Sequence, residues 1–529
     1  MTSKKTWIAL AAVLFYAAVQ FFYLDKYPLA WGDEFFYSEP SFHFFSDSFN
    51  FHSKGTFANT LYPPYPYYDV TNVVYGRVFL FINAILFKLF DYSLFTIRLQ
   101  PLLMGFLTLF LTWKVCEKMM GRSAALIAVP LLSVSTLFIH ASHSGRPEMT
   151  AAVLTLLALW LFQKGEEKTV YYFLSGLAAT LAVDVHPPSG IVAPGGLCFL
   201  LAYRFARDRA EKKIWNWRML LAAGGGMALG TLWWIYIHIL IHPEIYKAEM
   251  GLQKRIQVPM WDPRDHTYIF KKEARRYISF FWGGRYHRNM LVFFALALSA
   301  AWVFKRRRPK DAEFLVYSSG ALLALWLVAV NTFPYYLVAV YPLFCVAIGS
   351  GLSDWLSSQN RLLKVFGAAL GLALAGLYTL ETGYWMYHFR KADYPGYLAR
   401  LRERVPQDKT LMVTSPVWIG FFRRQPTFTD NYFEMISTRY KDGSPSYPKE
   451  IMDKMGWNFR QVFDNLGIQY YVEDSNVFFW EREPETIQFM KERARLVAVI
   501  EDPVYGRDTF YPGMKQSYVY EILPNAAVH

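Results

Sequence analysis

WIALAAVLFYAAVQFFY, Trp7–Tyr23, is an apolar run preceded by Lys4 and Lys5 and soon followed by Trp31-Gly32-Asp33-Glu34. A helix that crosses a bilayer needs roughly 20 predominantly apolar residues, so this run supplies most of one crossing. Two adjacent carboxylates at the far membrane surface cost solvation energy unless they are used. Their natural uses are to hold a metal ion or to take a proton.

The rest of the chain repeats the pattern. Of 529 residues, 54% are hydrophobic and only 18% charged, and apolar stretches separated by short basic or aromatic breaks fill the first three quarters. That is a multi-span membrane protein and not a large soluble core. The net charge of +13 does not point to nucleic acid, because the clusters Arg204–Arg218 and Lys305–Arg308 abut hydrophobic spans and read as topology signals. Cys116, Cys198 and Cys345 all lie inside apolar runs, which leaves no disulfide framework and no cysteine-based metal site. The first span lacks a small-residue cleavage site and reads as an uncleaved anchor.

Spans are expected near 7–23, 97–116, 123–141, 149–163, 170–185, 187–205, 218–241, 289–304, 312–330, 335–352 and 362–386. Val78–Phe90 is apolar but short for a crossing. If it crossed, the basic loops at Lys114/Lys118/Arg122, Lys164/Lys168, Arg204–Arg218, Lys305–Lys310 and Arg361/Lys364 would all face outward, against the positive-inside rule. It is therefore read as a juxtamembrane helix in the first outer loop. About eleven spans then place the N-terminus inside and the C-terminus outside.

On that topology the polar features sort to one face. Outside lie Asp33-Glu34, His143-Ser144-Gly145-Arg146-Pro147-Glu148, Asp184-Val185-His186-Pro187-Pro188, the loop His242–Arg288 and Asn331-Thr332-Phe333-Pro334-Tyr335-Tyr336. Beyond residue 389 the composition turns soluble. Thr410–Val413 and Ile468–Val472 read as strands, Trp457–Leu466 and Pro484–Arg495 as helices. The expected fold is thus an all-α polytopic membrane domain over 1–388, followed by an extracytoplasmic α/β domain over 389–529.

Taken alone, Asp33 could simply cap an interfacial helix, and Arg146 with Glu148 could be a local ion pair. Two acids delivered to one membrane face by different helices instead suit hard-cation binding or proton transfer. Gly224-Gly225-Gly226, and Gly367 with Gly371, suit close helix packing, since no Lys-Ser/Thr follows them as in a phosphate loop.

Several motifs together carry a family resemblance. After one span come Asp33-Glu34, a juxtamembrane helix, and then Arg146-Pro147-Glu148 after the third span. Ile97-Arg98-Leu99-Gln100-Pro101-Leu102 opens the second span and Met120-Gly121-Arg122-Ser123-Ala124-Ala125-Leu126 the third, while Tyr335-Tyr336-Leu337 precedes Tyr341-Pro342. Over roughly its first 390 residues the chain resembles the type C (GT-C) membrane glycosyltransferases, and more narrowly the superfamily of protein O-mannosyltransferases and lipid A aminoarabinose transferases. Against that pattern, Phe36-Tyr37 stands where an Arg-Tyr pair is common, Glu148 replaces the more usual Asp, and Tyr62-Pro63-Pro64 lacks the cation of Lys-Pro-Pro or His-Pro-Pro.

The resemblance implies hexosyl or pentosyl transfer from a polyprenyl-phosphate sugar to a lipid, glycan or protein acceptor outside the membrane, with inversion. It makes Asp33 the catalytic base with Glu34 beside it. It leaves Glu148 two roles, sharing a divalent ion (Mg, Mn, Ca or Zn) with Asp33 or orienting the acceptor. No organic cofactor is expected. By position, Arg146, Arg77, His186, Arg285, His287, Arg288, Tyr335 and Tyr336 are candidate substrate or lipid-phosphate residues, with Lys54 a further cation. The implied site is periplasmic on a bacterial inner membrane. A transporter of lipid-linked sugars is the alternative; it calls for acids near mid-bilayer and paired halves, and neither pattern is present in the sequence.

Overall fold

The computed structural model describes residues 4–46, 51, 76–211, 216–241, 243, 246–247, 267–281, 290–306, 308–329, 333–430, 453, 456–474, 484–509 and 513–524. Among these the chain runs through α1 (Lys4–Tyr23), α2 (Gly32–Phe42), α3 (Arg77–Phe90), α4 (Leu94–Met119), α5 (Arg122–Val134), α6 (Thr136–Ser142), α7 (Glu148–Lys164), α8 (Val170–Val185), α9 (Pro187–Gly190) and α10 (Val192–Ala210). α11 (Trp217–Ile235) continues into a π-helical turn, Tyr236–Leu240. There follow α12 (Tyr268–Phe281), α13 (Met290–Arg306), α14 (Pro309–Val328), a 3-10 turn at Pro334–Ala339, α15 (Tyr341–Ser357) and α16 (Arg361–Phe389).

Among the described residues, each expected span falls largely on helix. Leu94–Met119, Pro187–Ala210, Trp217–Leu240, Pro309–Val328 and Arg361–Arg402 are long and apolar enough to cross a membrane, and α5 with α6 makes one more if taken as a single span. Two spans differ in detail. α5 and α6 meet at 63°, because Ser135 between them is extended and its hydroxyl donates to Tyr341 Oη at 3.0 Å. The expected span at 335–352 begins as a 3-10 turn, and prolines open both that turn and α15. Outward-facing Leu221, Leu362, Leu372 and Leu380 stay 72–80% exposed, which suits a surface meant for lipid.

Small residues set the closest helix approach. A Cβ on Gly226 would meet the Phe173 carbonyl oxygen and one on Gly176 the Ala223 carbonyl oxygen, so α8 and α11 pack nearly backbone to backbone. At the expected inner end, ion pairs tie the helix termini together. Arg204 binds Glu313 (2.8 Å) and Glu166 (2.7 Å), Arg306 binds Asp354 (2.5 Å) and Asp311 (2.9 Å), and Lys118 binds Glu167 (3.0 Å). These are the ends that the alternation of loops puts on one side. Val78–Phe90 falls within α3, which packs against α2, α4 and α8.

The C-terminal part is α/β. α17 (Tyr394–Arg402), β1 (Leu411–Val413), α18 (Ser415–Trp418), β2 (Thr427–Thr429), α19 (Phe459–Asn465), β3 (Tyr470–Glu473), α20 (Pro484–Arg493), β4 (Ala494–Asp502), β5 (Arg507–Asp508) and β6 (Lys515–Ile522) build one mixed sheet of order β2-β1-β3-β6-β4, with β5 on β6. β1 is parallel to β2 and β3, and β6 is antiparallel to β3 and β4. The expected strands and helices are present. The helix expected to reach Arg495 stops at Arg493, because β4 takes over from Ala494 and pairs with β6.

Candidate active site

The site forms where α2, the 143–148 turn and the 333–336 segment meet. α2 starts at Gly32, and Glu34 closes its first turn by accepting the Trp31 amide at 3.0 Å. Glu34 is fully buried and accepts two parallel bonds from Arg98, Nε at 2.8 Å and Nη2 at 2.8 Å. It also accepts the Gly145 amide at 2.8 Å, while Arg98 Nη1 donates to the Leu24 carbonyl at 2.9 Å. Gly145 has to be small here: a Cβ would lie 2.2 Å from Ile97 Cγ2. Glu34 thus ties the first outer loop to the second span and to the turn that carries Arg146.

One residue earlier, Asp33 faces the other way. Its side chain keeps 40% of its exposure and accepts Arg146 Nη1 through Oδ2. Arg146 reaches back to Glu148 as well, with Nη2 to Oε1 at 2.6 Å and Nε to Oε1 and Oε2 at 3.1 and 3.2 Å. A single guanidinium therefore lies between the two acids. Four rings enclose it: its Cζ lies 5.0 Å from the Trp31 ring, 5.1 Å from Tyr37, 5.1 Å from Phe333 and 5.4 Å from Tyr335. Such contacts hold a cation where water is scarce. Glu148 begins α7, where a carboxylate suits the positive end of the helix dipole. Desolvation pushes the Asp33 carboxyl above its usual range, and the neighbouring Arg146 opposes that rise.

The remaining expected residues spread outward from this centre. Tyr335 is braced by His140, which also contacts Tyr27 Oη at 3.0 Å. His186 is buried within electrostatic reach of Glu148 and Arg146, and burial lowers it to about 4. Its ring stands 5.5 Å from Tyr336 and 6.3 Å from Tyr37. Arg77 stands apart at the start of α3, against Phe51 and within reach of Asp184. Arg285, His287, Arg288 and Lys54, with Tyr62-Pro63-Pro64, lie outside the described residues.

Sequence reading missed three parts. The role of Arg98 as the lock on Glu34 needs a contact across 64 positions. The ring cage needs two segments about 300 positions apart, 31–37 and 333–335, to meet at Arg146. Lys272 and Arg276 turn inward from α12, Lys272 donating to the Trp326 carbonyl at 2.7 Å and Arg276 lying 5.9 Å from the Tyr336 ring. Their signal was visible: charged residues occupy inward positions on a helix that otherwise buries Phe280 and Phe281.

Residues 76–234 match the family model described as dolichyl-phosphate-mannose-protein mannosyltransferase. No curated protein sequence matches the chain. ArnT from Cupriavidus metallidurans, solved with undecaprenyl phosphate, superposes with a TM-score of 0.61 at 16% identity, covering 98% of this chain and 98% of that one. The Archaeoglobus fulgidus oligosaccharyltransferase solved with Zn and sulfate gives 0.54 at 14% identity over 88% of this chain and 68% of that one. The same archaeal protein, AglB, solved with an inhibitory peptide and a dolichol-phosphate, gives 0.50 at 13% identity over 89% and 70%. The chain thus shares the fold of these membrane proteins, and over residues 76–234 it is similar to the mannosyltransferase family, in keeping with the resemblance that its motifs carry.

Proposed function

We propose that this protein transfers a sugar from a polyprenyl-phosphate carrier to a hydroxyl-bearing acceptor outside the membrane, with Asp33 as the base. The observation that carries the reading is the Asp33–Arg146–Glu148 bridge, in which an acid still partly open to solvent is held against a caged cation. ArnT and AglB, solved with polyprenyl-type phosphates, support the donor class. The outer domain is taken as 389–529, on the periplasmic side of a bacterial inner membrane.

In the reaction, Asp33 takes the proton of the acceptor hydroxyl as its oxygen attacks the anomeric carbon. The bond from that carbon to the phosphate oxygen breaks, the polyprenyl phosphate leaves with the electron pair, and the anomeric configuration inverts. The transition state has oxocarbenium character, and charge builds on the departing phosphate, which calls for fixed cations nearby. Arg276 on α12, 5.9 Å from the Tyr336 ring and paired with Glu273 at 3.2 Å, is the cation proposed to receive it, with Lys272 next to the same Glu273. Glu148 holds Arg146 and so fixes the direction from which Asp33 is approached. Glu34 acts through its anchor on Arg98.

As arranged, the two acids do not fit a resident divalent ion. Arg146 already fills the space between them, and among the described residues no three His, Cys, Asp or Glu side chains converge. The Arg146 guanidinium takes the place of the ion expected between Asp33 and Glu148.

The test compares wild type with Asp33→Asn and Glu148→Gln in detergent, using radiolabelled polyprenyl-phosphate sugars and a membrane extract as acceptor pool. Wild type should move label, and Asp33→Asn should lose at least about 10²-fold while staying folded. Transfer by Asp33→Asn at the wild-type rate would remove Asp33 from the reaction.

A further inference from the structure

We infer that the C-terminal domain positions Asp33, through direct packing of Ser415 on Gly32. The inference rests on the transferase reading only for its activity measurement. A Cβ built on Gly32, the residue before Asp33, would lie 2.9 Å from Ser415 Cβ and 3.3 Å from its Oγ. The Ser415 side chain of the outer domain therefore packs directly on the Gly32 backbone, one residue from Asp33. A side chain at Gly32 has to displace either Ser415 or the start of α2.

The rest of α2 is held by the same domain. Phe35 lies in one buried cluster with Tyr394, Tyr397, Val417, Trp418 and Phe421. Farther along, Phe42 packs on Phe422 at 5.7 Å, and Arg423 covers the Phe42 ring at 4.7 Å. Arg423 also makes a two-bond pair with Asp91, Nη1 to Oδ2 at 2.9 Å and Nη2 to Oδ1 at 2.8 Å. The pair is solvent-exposed, so its energy alone is small. Its backbone is telling, because Asp91 holds φ 65° and ψ 168°, a region that residues other than glycine adopt only when their surroundings impose it. Tyr394 and Tyr505 of the outer domain lie within electrostatic reach of Arg98, the partner of Glu34. α2 is thus clamped from the membrane side by Glu34–Arg98 and from the outer side by the α/β domain. Asp33 sits on the clamped turn, and Ser415 and Arg423 are positioning residues.

The test uses the full chain and three variants, Gly32→Ala, Ser415→Gly and the double. Because a misplacement near 1 Å costs up to about 10²-fold in rate, Gly32→Ala should lose at least about tenfold in kcat. Its KM for the polyprenyl-phosphate sugar should stay near wild type, as a change in positioning rather than donor binding requires. Adding Ser415→Gly removes both atoms that the new methyl meets, and kcat should return towards that of Ser415→Gly alone. Backbone hydrogen exchange over residues 32–42 supplies a readout independent of any substrate, rising in Gly32→Ala and falling back in the double variant. Unchanged kcat and exchange in Gly32→Ala would overturn the inference, as would a loss that Ser415→Gly fails to relieve. If wild type transfers no sugar while exchange still rises and is relieved, the clamp stands and the transferase reading is what fails.

Discussion

Glu34 and Arg98 form a parallel two-bond ion pair, 2.8 Å on each arm, with both side chains at most 1% exposed. Breaking a buried pair from one side leaves the other charge uncompensated and typically costs about 3–5 kcal/mol. Glu34→Gln keeps the shape and removes the charge, so it should lower the thermal unfolding midpoint in detergent markedly. Arg98→Met should do the same. Combining them should cost less than the sum of the two, since the double variant strands no charge. Additive losses would mean that the two residues stabilise the fold independently.

Arg146 is held by shape as much as by charge. Its planar guanidinium touches both acids while four rings lie over it. A lysine keeps the charge but cannot bridge two carboxylates with the same fork or stack in the same cage. Arg146→Lys should therefore lower the transfer rate by about 10²-fold, the usual cost of losing one preorganised donor. Wild type treated with EDTA should keep its rate, because Arg146 already occupies the place between Asp33 and Glu148. Loss of activity in EDTA, restored by a divalent ion, would show that Arg146 does not take that place.

The membrane architecture was legible because the bilayer imposes a length and a charge rule on each segment separately. Eleven runs could be read one at a time, and the parity of the basic loops placed Asp33, Arg146, Glu148, His186, Tyr335 and Tyr336 on one face, where the structure gathers them. What escaped was whatever depends on two distant segments at once. Arg98 sat within a quoted motif, yet nothing local says that it meets Glu34. The adjacency of Asp33 and Glu34 hid a division of labour, since consecutive residues at a helix start point to different surroundings. Here one is a partly exposed acid and the other a buried anchor. In the outer domain β4 and β6 escaped although Lys515–Ile522 buries Ser517, Val519 and Ile522, and their pairing is set by long-range register rather than local composition.

The pH dependence of transfer should carry the signature of Asp33. Burial raises its carboxyl above the ordinary value and Arg146 pulls it down, with burial the larger influence. As a base it must be ionised, so kcat/KM should fall on acidification along a limb centred above the usual aspartate range. Arg146→Lys weakens the opposing influence and should move that limb to still higher pH. The stability linkage runs the other way. The folded state holds the Asp33 proton more tightly than the unfolded chain, so this group's contribution is present below the unfolded pKa and is lost as pH rises through the folded one. Asp33→Asn removes the titration, so the difference in melting temperature between Asp33→Asn and wild type should grow as pH rises across that window. The two measurements therefore report one proton with opposite signs. An acid limb lying in the ordinary carboxylate range, with no pH-dependent gap in melting temperature, would mean that Asp33 titrates as a solvated side chain.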